Sequence, residues 1–299
     1  MYEIWLVTFC WGLSFPLARM LVAELDPLWI TTFRFLIGGA SLLILSTFGR
    51  PRRVNIKRSW KLVLFLAVFE FFLTYFLYLT SIMYLPASKV AALTLSTPVL
   101  ILILDSALKG RFPAFKIVLP FVFAIAGTVI LFDTSPQALA SANRQILGFA
   151  AILLSNLSFA TASVVMRRRA GSSAIRITGV AQLTAGAMAL VTSLVWKGLP
   201  GSLSVSLWMV LIYLSVIATG IGFWFWNRSV NKLGALYPGL VLNLKAPIAA
   251  ILSIIILKEV VSVLHWEGIV LMVVSACFAY TTIERMPAKD HLSNQGISE

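Results

Sequence analysis

Charge, cysteine and histidine are what this chain has least of. Only 12% of its 299 residues are charged, with 11 acidic side chains among them, about half the share usual in a soluble domain. Two cysteines, Cys10 and Cys277, both fall inside apolar runs, so no disulfide framework follows. His265 and His291 stand apart from other metal-binding residue types, and neither HExxH, GxSxG nor a Gly-Lys-Ser/Thr phosphate loop occurs. Metal sites, nucleophile-elbow hydrolysis and nucleotide-driven chemistry therefore drop out: no catalytic residue, no cofactor and no enzyme activity is expected.

Apolar residues fill the space left by charge. They make up 60% of the chain, and the mean hydropathy of +0.94 belongs to a membrane protein. A helix needs about 20 apolar residues to cross the hydrocarbon layer. Ten such runs occur, starting near Tyr2, Leu28, Trp60, Ala87, Phe115, Gln145, Ile175, Ser204, Ala235 and Leu264. The runs are continuous rather than alternating, which excludes a transmembrane barrel and leaves an all-α fold. The opening Met-Tyr-Glu-Ile-Trp lacks a basic segment and a cleavage site, so the first run reads as a retained span. Only the polar residues 286–299 read as a disordered tail.

The formal charge of +13 invites a nucleic-acid reading, but its distribution argues otherwise. Basic residues crowd into alternate connections: Arg50, Arg52, Arg53, Lys57, Arg58 and Lys61 in one, Lys109, Arg111 and Lys116 in the next of the set. Arg167, Arg168, Arg169 and Arg176, then Arg228 and Lys232, and the tail's Arg285 and Lys289 continue it. The intervening connections hold only Arg19, Lys89, Arg144, Lys197 and Lys258. By the positive-inside rule this places both termini in the cytoplasm and makes the basic charge a topology signal, with the lipid bilayer as partner and no nucleic acid.

The chain also repeats itself. "PASKVAALTLSTPVLILIL" from Pro86 aligns with "ALYPGLVLNLKAPIAAILSI" from Ala235, placing Pro98 on Pro247, 149 positions on, and Lys109 on Lys258. Leu13-Ser14-Phe15 recurs as Leu157-Ser158-Phe159. Five spans per half is an odd number, so the second half enters the membrane inverted. The expectation is two inverted five-helix repeats, residues 1–140 and 141–285, which generate outward-open and inward-open arrangements around a midplane site.

Trp11-Gly12 with Phe15, Arg34-Phe35, Trp226-Asn227, Leu233-Gly234-Ala235, Asn243, Pro247, Lys258-Glu259 and Gly268, in that order over the whole chain, resemble the EamA-type transporters of the drug/metabolite transporter superfamily. The resemblance implies a bacterial inner-membrane exporter or exchanger of amino acids and other small metabolites, with a central cavity between the halves. One departure stands out: the family often has Gly-Glu after the fourth span as after the ninth, and here Gly110 precedes Arg111.

Within the spans, Glu70 is the first surprise, because an ionised side chain facing lipid costs roughly 2.5–3.5 kcal/mol. On a helix wheel Ala67, Thr74 and Ser81 lie within about 60° of it and Tyr78 at about 80°, a stripe expected to face protein or water. The repeat pairs Glu70 with Thr219, Thr74 with Phe223 and Tyr78 with Asn227. Lys245, near the middle of the ninth span, is the second surprise. Three accounts stay open: a structural Glu70–Lys245 ion pair; separate sites for the two ends of a zwitterion, or Glu70 as a proton-coupling acid; and a protonated Glu70 with a local hydrogen bond. Pro98 and Pro247 cannot donate to the carbonyls of Thr94 and Asn243, so both are helix-bend candidates, with Pro238 a second bend in the ninth span. Asn156, with Ser155, Ser158 and Thr161, reads either as cavity lining or as interhelical bonding. Trp11 and Trp224 are candidate aromatic walls. Arg34 is expected to reach Glu24 or Asp26 by snorkelling.

The expected substrate-binding set is therefore Glu70, Lys245, Thr74, Tyr78, Trp11, Asn156, Asn243, Thr219, Trp224 and Asn227. The expected activity is secondary or facilitative export of a small metabolite, an amino acid or a related amine or carboxylate, by a monomer or homodimer. A non-transporting sensor or assembly protein, and a carrier of lipid-linked or drug-like cargo, are the alternatives.

Overall fold

Continuous apolar runs with internal prolines and few polar breaks become long helices, because a backbone in hydrocarbon has to satisfy its own hydrogen bonds. The computed structural model describes residues 2–48, 59–108, 114–131, 142–169, 174–233 and 236–285, all helical apart from short connections. In chain order these are α1 (Tyr2–Val22), α2 (Pro27–Thr47), α3 (Trp60–Tyr84), α4 (Ala87–Leu108) and α5 (Ala114–Leu131). There follow α6 (Ala142–Arg169), α7 (Ala174–Lys197), α8 (205–233), α9 (236–257) and α10 (Val263–Arg285). Eight of these are long and apolar enough to cross a membrane; the runs expected from Phe115 and Leu264 appear as the shorter apolar helices Leu119–Leu131 and Val263–Ala279. The expected tail, 286–299, and the Gly110-Arg111 departure lie outside the described residues.

Helix α2 packs along α7, and α5 along α10. Small residues allow the first of these approaches. A Cβ on Gly39 would sit 2.9 Å from the backbone nitrogen of Leu183 and 3.0 Å from the Cβ of Gln182, so the two backbones touch where the glycine is. Gly39→Ala is expected to lower stability by about 1 kcal/mol, the low end of over-packing costs, read as an earlier midpoint in a denaturant titration of the detergent-solubilised chain.

Four helices are irregular in their middles. α3 widens to a π-helical stretch over Ala67–Leu73, and α8 does so over Tyr213–Ile221. α4 tightens to a 3-10 turn at Thr94–Ser96. α9 breaks between Leu236–Leu242 and Lys245–Leu257, where Asn243 and Leu244 donate three residues back, to Leu240 and Val241. These interruptions correct the account of the prolines. Thr94 O does not wait for an outside partner, because the tight turn brings it the Thr97 N–H. Asn243 O likewise accepts from Ala246 N at 3.4 Å. Leu93 O, in the same tight turn of α4, also accepts from Asn156 Nδ2 and Ser96 Oγ. Pro238 makes no bend: it lies in the first turn of Leu236–Leu242, where the missing N–H has no intrahelical acceptor to lose.

Candidate functional site

Glu70 sits inside the π-helical part of α3 and is 8% exposed, with its Oε2 buried and without a hydrogen-bond partner. Ala67, Thr74, Tyr78 and Ser81 are buried with it, so the polar stripe faces protein. Aromatic rings enclose this part of the helix. Phe35 lies against Phe71 and Tyr75 at 5.3 and 4.7 Å between ring centroids, Tyr75 edge-on to Tyr78 at 6.0 Å, and Phe71 meets Phe223 at 5.7 Å.

Arg34 of α2 meets this cluster at Tyr75 and does not snorkel outward as expected. Asp26 is already used at the end of α2, accepting from Leu28 N at 2.9 Å and pairing with Lys197 at 3.0 Å. Arg34 turns inward instead and is 3% exposed. Its Nε donates to Thr219 Oγ1 at 2.9 Å, its guanidinium carbon lies 4.7 Å from the Tyr75 ring centroid, and its Nη1 is buried with no partner. Gly38, one turn along α2, makes the reach possible: a Cβ there would collide with Ser215 O and Thr219 Cγ2, both at 2.7 Å. Sequence reasoning missed Arg34 as a site residue. The available signal was that the repeat put a hydroxyl, Thr219, opposite Glu70, an acceptor with no assigned donor.

Lys245 is half-buried on α9, and among the described residues no ion pair joins it to Glu70. The structural-pair account of these two residues is therefore not what the structure holds. The remaining expected residues divide by what their polar atoms already do. Thr74 Oγ1 donates to Phe69 O at 2.6 Å, while Ser155 Oγ donates to Thr74 O at 2.8 Å and Ser158 Oγ to Phe69 O at 2.7 Å. The two serines rivet α6 to α3, Ser158 at a carbonyl inside the π-turn and Ser155 at the residue just after it. Asn156 is 4% exposed and donates to Leu93 O at 2.8 Å and Ser96 Oγ at 2.9 Å, so the interhelical reading of the sixth-span polar groups is the one their contacts follow. Thr161 bonds back within its own helix, to Leu157 O.

Trp11 Nε1 donates to Ala218 O at 2.8 Å, in the π-turn of α8, and its ring lies 5.3 Å from Phe223. Asn227 bonds its own helix at Phe223 O, 2.8 Å. Asn243 points toward α10, with Nδ2 at 3.9 Å from Cys277 Sγ. Trp224 stacks under Arg228 at 5.4 Å, and Arg228 in turn pairs with the buried Glu3 at 2.8 Å. The structure thus brings together Glu70, Tyr78, Thr219 and, unexpectedly, Arg34 and Tyr75. Asn243 and Trp224 lie on other contacts.

The EamA-like transporter family profile matches two segments, residues 3–133 and 146–281. The chain belongs to that family. It is 27% identical over 277 residues to the uncharacterized transporter YvbV of Bacillus subtilis, a match covering 91% of this chain and 88% of that protein. It is 23% identical over 272 residues to the biotin transporter of Salmonella typhimurium, covering 89% and 86%. With the probable biotin transporter of Pseudomonas aeruginosa the identity is 25% over 266 residues, covering 85% and 87%. A solved crystal structure aligns over 96% of this chain and 98% of its own with a TM-score of 0.69 at 19% identity, a likeness of fold. The protein is a multi-pass membrane protein of a transporter family, built from helices that bury a charged and aromatic cluster.

Proposed function

We propose that the chain is a ten-span secondary or facilitative transporter in which residues 1–140 and 141–285 form two inverted halves that rock about the Arg34/Glu70 cluster by alternating access. The observation that carries this reading is the pairing of irregularities at the repeat distance. The π-turns of α3 and α8 overlap when shifted by 149 positions, as do the tight turn at Thr94–Ser96 and the break at Asn243. Phe69 O and Ala218 O, 149 positions apart, each accept a bond from the helix alongside, from Ser158 of α6 and Trp11 of α1. Helices also pack on their own mates, α2 on α7 and α5 on α10. Two separate family matches, one per half, support the same division.

The cargo is a small polar metabolite bearing a carboxylate or amine, an amino acid being the first reading and outward the first direction. The relatives named as biotin transporters favour a second reading, a biotin-like carboxylate. Crowding of Lys and Arg into alternate connections supports a bacterial inner-membrane location with both termini in the cytoplasm. A monomer suffices for this mechanism.

Glu70 is the proposed coupling acid, since a buried carboxyl with a free oxygen exchanges a proton with whichever side the site faces. Flux of radiolabelled L-amino acids and biotin through purified chain in proteoliposomes tests this. Wild-type flux is expected to change about threefold between external pH 6 and 8, and Glu70→Gln flux to vary much less over that range. Identical pH profiles for the two proteins remove Glu70 from coupling, and absence of flux for every probe removes the transport reading.

A further inference from the structure

We infer that the cargo's carboxylate docks on the Arg34 guanidinium, beside the Tyr75 ring, and that Arg34 rather than Lys245 is the anion-binding residue of the central site. The inference deepens the transport reading and rests on the central cluster being the cargo site.

Arg34 and Glu70 are a cation and an acid, both more than nine-tenths buried, each with a polar atom that has no partner: Nη1 of Arg34 and Oε2 of Glu70. They do not form an ion pair with each other, and the Tyr75 ring, on the same helix as Glu70, has its centroid 4.7 Å from the Arg34 guanidinium carbon. Buried charges left this way are costly, and proteins retain them where something completes the bonding. Were Arg34 only a structural link, its charge would be excess, because a neutral donor serves Thr219 Oγ1 as well. Its guanidinium is held at one edge by Thr219 and on one face by Tyr75. That fixes its orientation before any ligand arrives and leaves Nη1 free to donate.

A planar cation aimed in this way matches a carboxylate, through charge-assisted hydrogen bonds. Tyr75, Tyr78 and Phe71 around it supply apolar contact for a hydrocarbon or ring portion. Glu70, five positions before Tyr75 on α3, keeps its buried Oε2 free to accept from a donor on the cargo, such as an ammonium or an amide N–H. Lys245 offers no comparable arrangement: it is half-buried on α9, and among the described residues no aromatic ring lies under its ammonium.

Thermal stabilisation of the purified full-length chain in detergent tests this, using biotin, L-phenylalanine and succinate, each beside its amide. At least one acid is expected to stabilise wild type where its amide does not. Affinity for that acid is expected to fall at least tenfold in Arg34→Gln, less in Arg34→Lys, and about threefold in Thr219→Val, which removes the bond that aims the guanidinium while keeping its charge. Should Arg34→Gln fail to fold, the Arg34→Lys and Thr219→Val series carries the comparison. Acids and amides that stabilise alike, unchanged acid affinity in the Arg34 variants, or a loss confined to Lys245→Gln overturn the inference. Counterflow in proteoliposomes separates it from the transport reading. Acid binding that depends on Arg34 without flux sinks transport alone; flux with an acid preference untouched by Arg34→Gln sinks the carboxylate site alone.

Discussion

Glu259→Ala is expected to open the junction between α4 and α9, making Ala87→Cys react roughly a hundredfold faster with an impermeant maleimide in a background lacking Cys10 and Cys277. The start of α4 has no cap of its own, because its N-cap is Pro86, whose side chain carries no acceptor. Glu259 supplies the missing acceptor from the far part of the chain. Its Oε1 accepts from Ala87 N at 2.8 Å, and its Oε2 from Ser88 N at 3.2 Å and Ser88 Oγ at 2.7 Å. The carboxylate is aimed by Lys258, whose φ of 56° turns the chain out of α9, with Glu259 N bonded back to Ser253 O. Three bonds to a half-buried carboxylate at a helix N-terminus contribute about 3 kcal/mol together, after allowance for exposure. That is the source of the hundredfold. Glu259→Gln keeps one acceptor oxygen and is expected to fall between, and Ser88→Ala loses the shortest of the three bonds alone. Labelling of Ala87→Cys at the same rate with and without Glu259 would show that the contact caps a helix and holds no gate.

The spans were legible in the sequence because a hydrocarbon environment allows little else: Trp60–Tyr84 and Ala87–Leu108 start where the apolar runs do. Glu70 was legible for the same reason, since a charge is conspicuous where every neighbour is apolar. Its surroundings were not. The Arg34–Thr219 bond joins residues 185 positions apart, and nothing local to either names the other. A snorkelling Arg34 was the cheaper expectation because Asp26 stood nearby, but Asp26 was spent on Leu28 and Lys197. Proline rules identified where α4 and α9 are irregular but left the carbonyls of Thr94 and Asn243 open, because they assume an α-helical ladder up to the proline and the tight turns close both. The π-turns leave no periodic trace at all; they add one residue to a turn, and the added residue is as apolar as the rest.

Asn156→Ala is expected to cost about 2 kcal/mol of stability while leaving the Michaelis constant for cargo within about twofold of wild type. Asn156 had two readings in the sequence, cavity lining and helix bonding, and the stability and transport arms separate them. Its amide donates to Leu93 O and to Ser96 Oγ, two acceptors at the turn where α4 tightens. Ser96 Oγ itself donates to Leu93 O at 2.9 Å, so removing the amide takes one donor from Leu93 O and the one donor shown on Ser96 Oγ. Each buried interhelical bond of this kind is worth about 0.6 kcal/mol on average, up to roughly 1.7, and both are lost together with their shared geometry. A double-mutant cycle with Ser96→Ala is expected to show coupling of about 1 kcal/mol, since the two side chains share Leu93 O and contact each other. Raised Michaelis constants with unchanged stability would put Asn156 against the cargo and reverse the assignment made from its contacts.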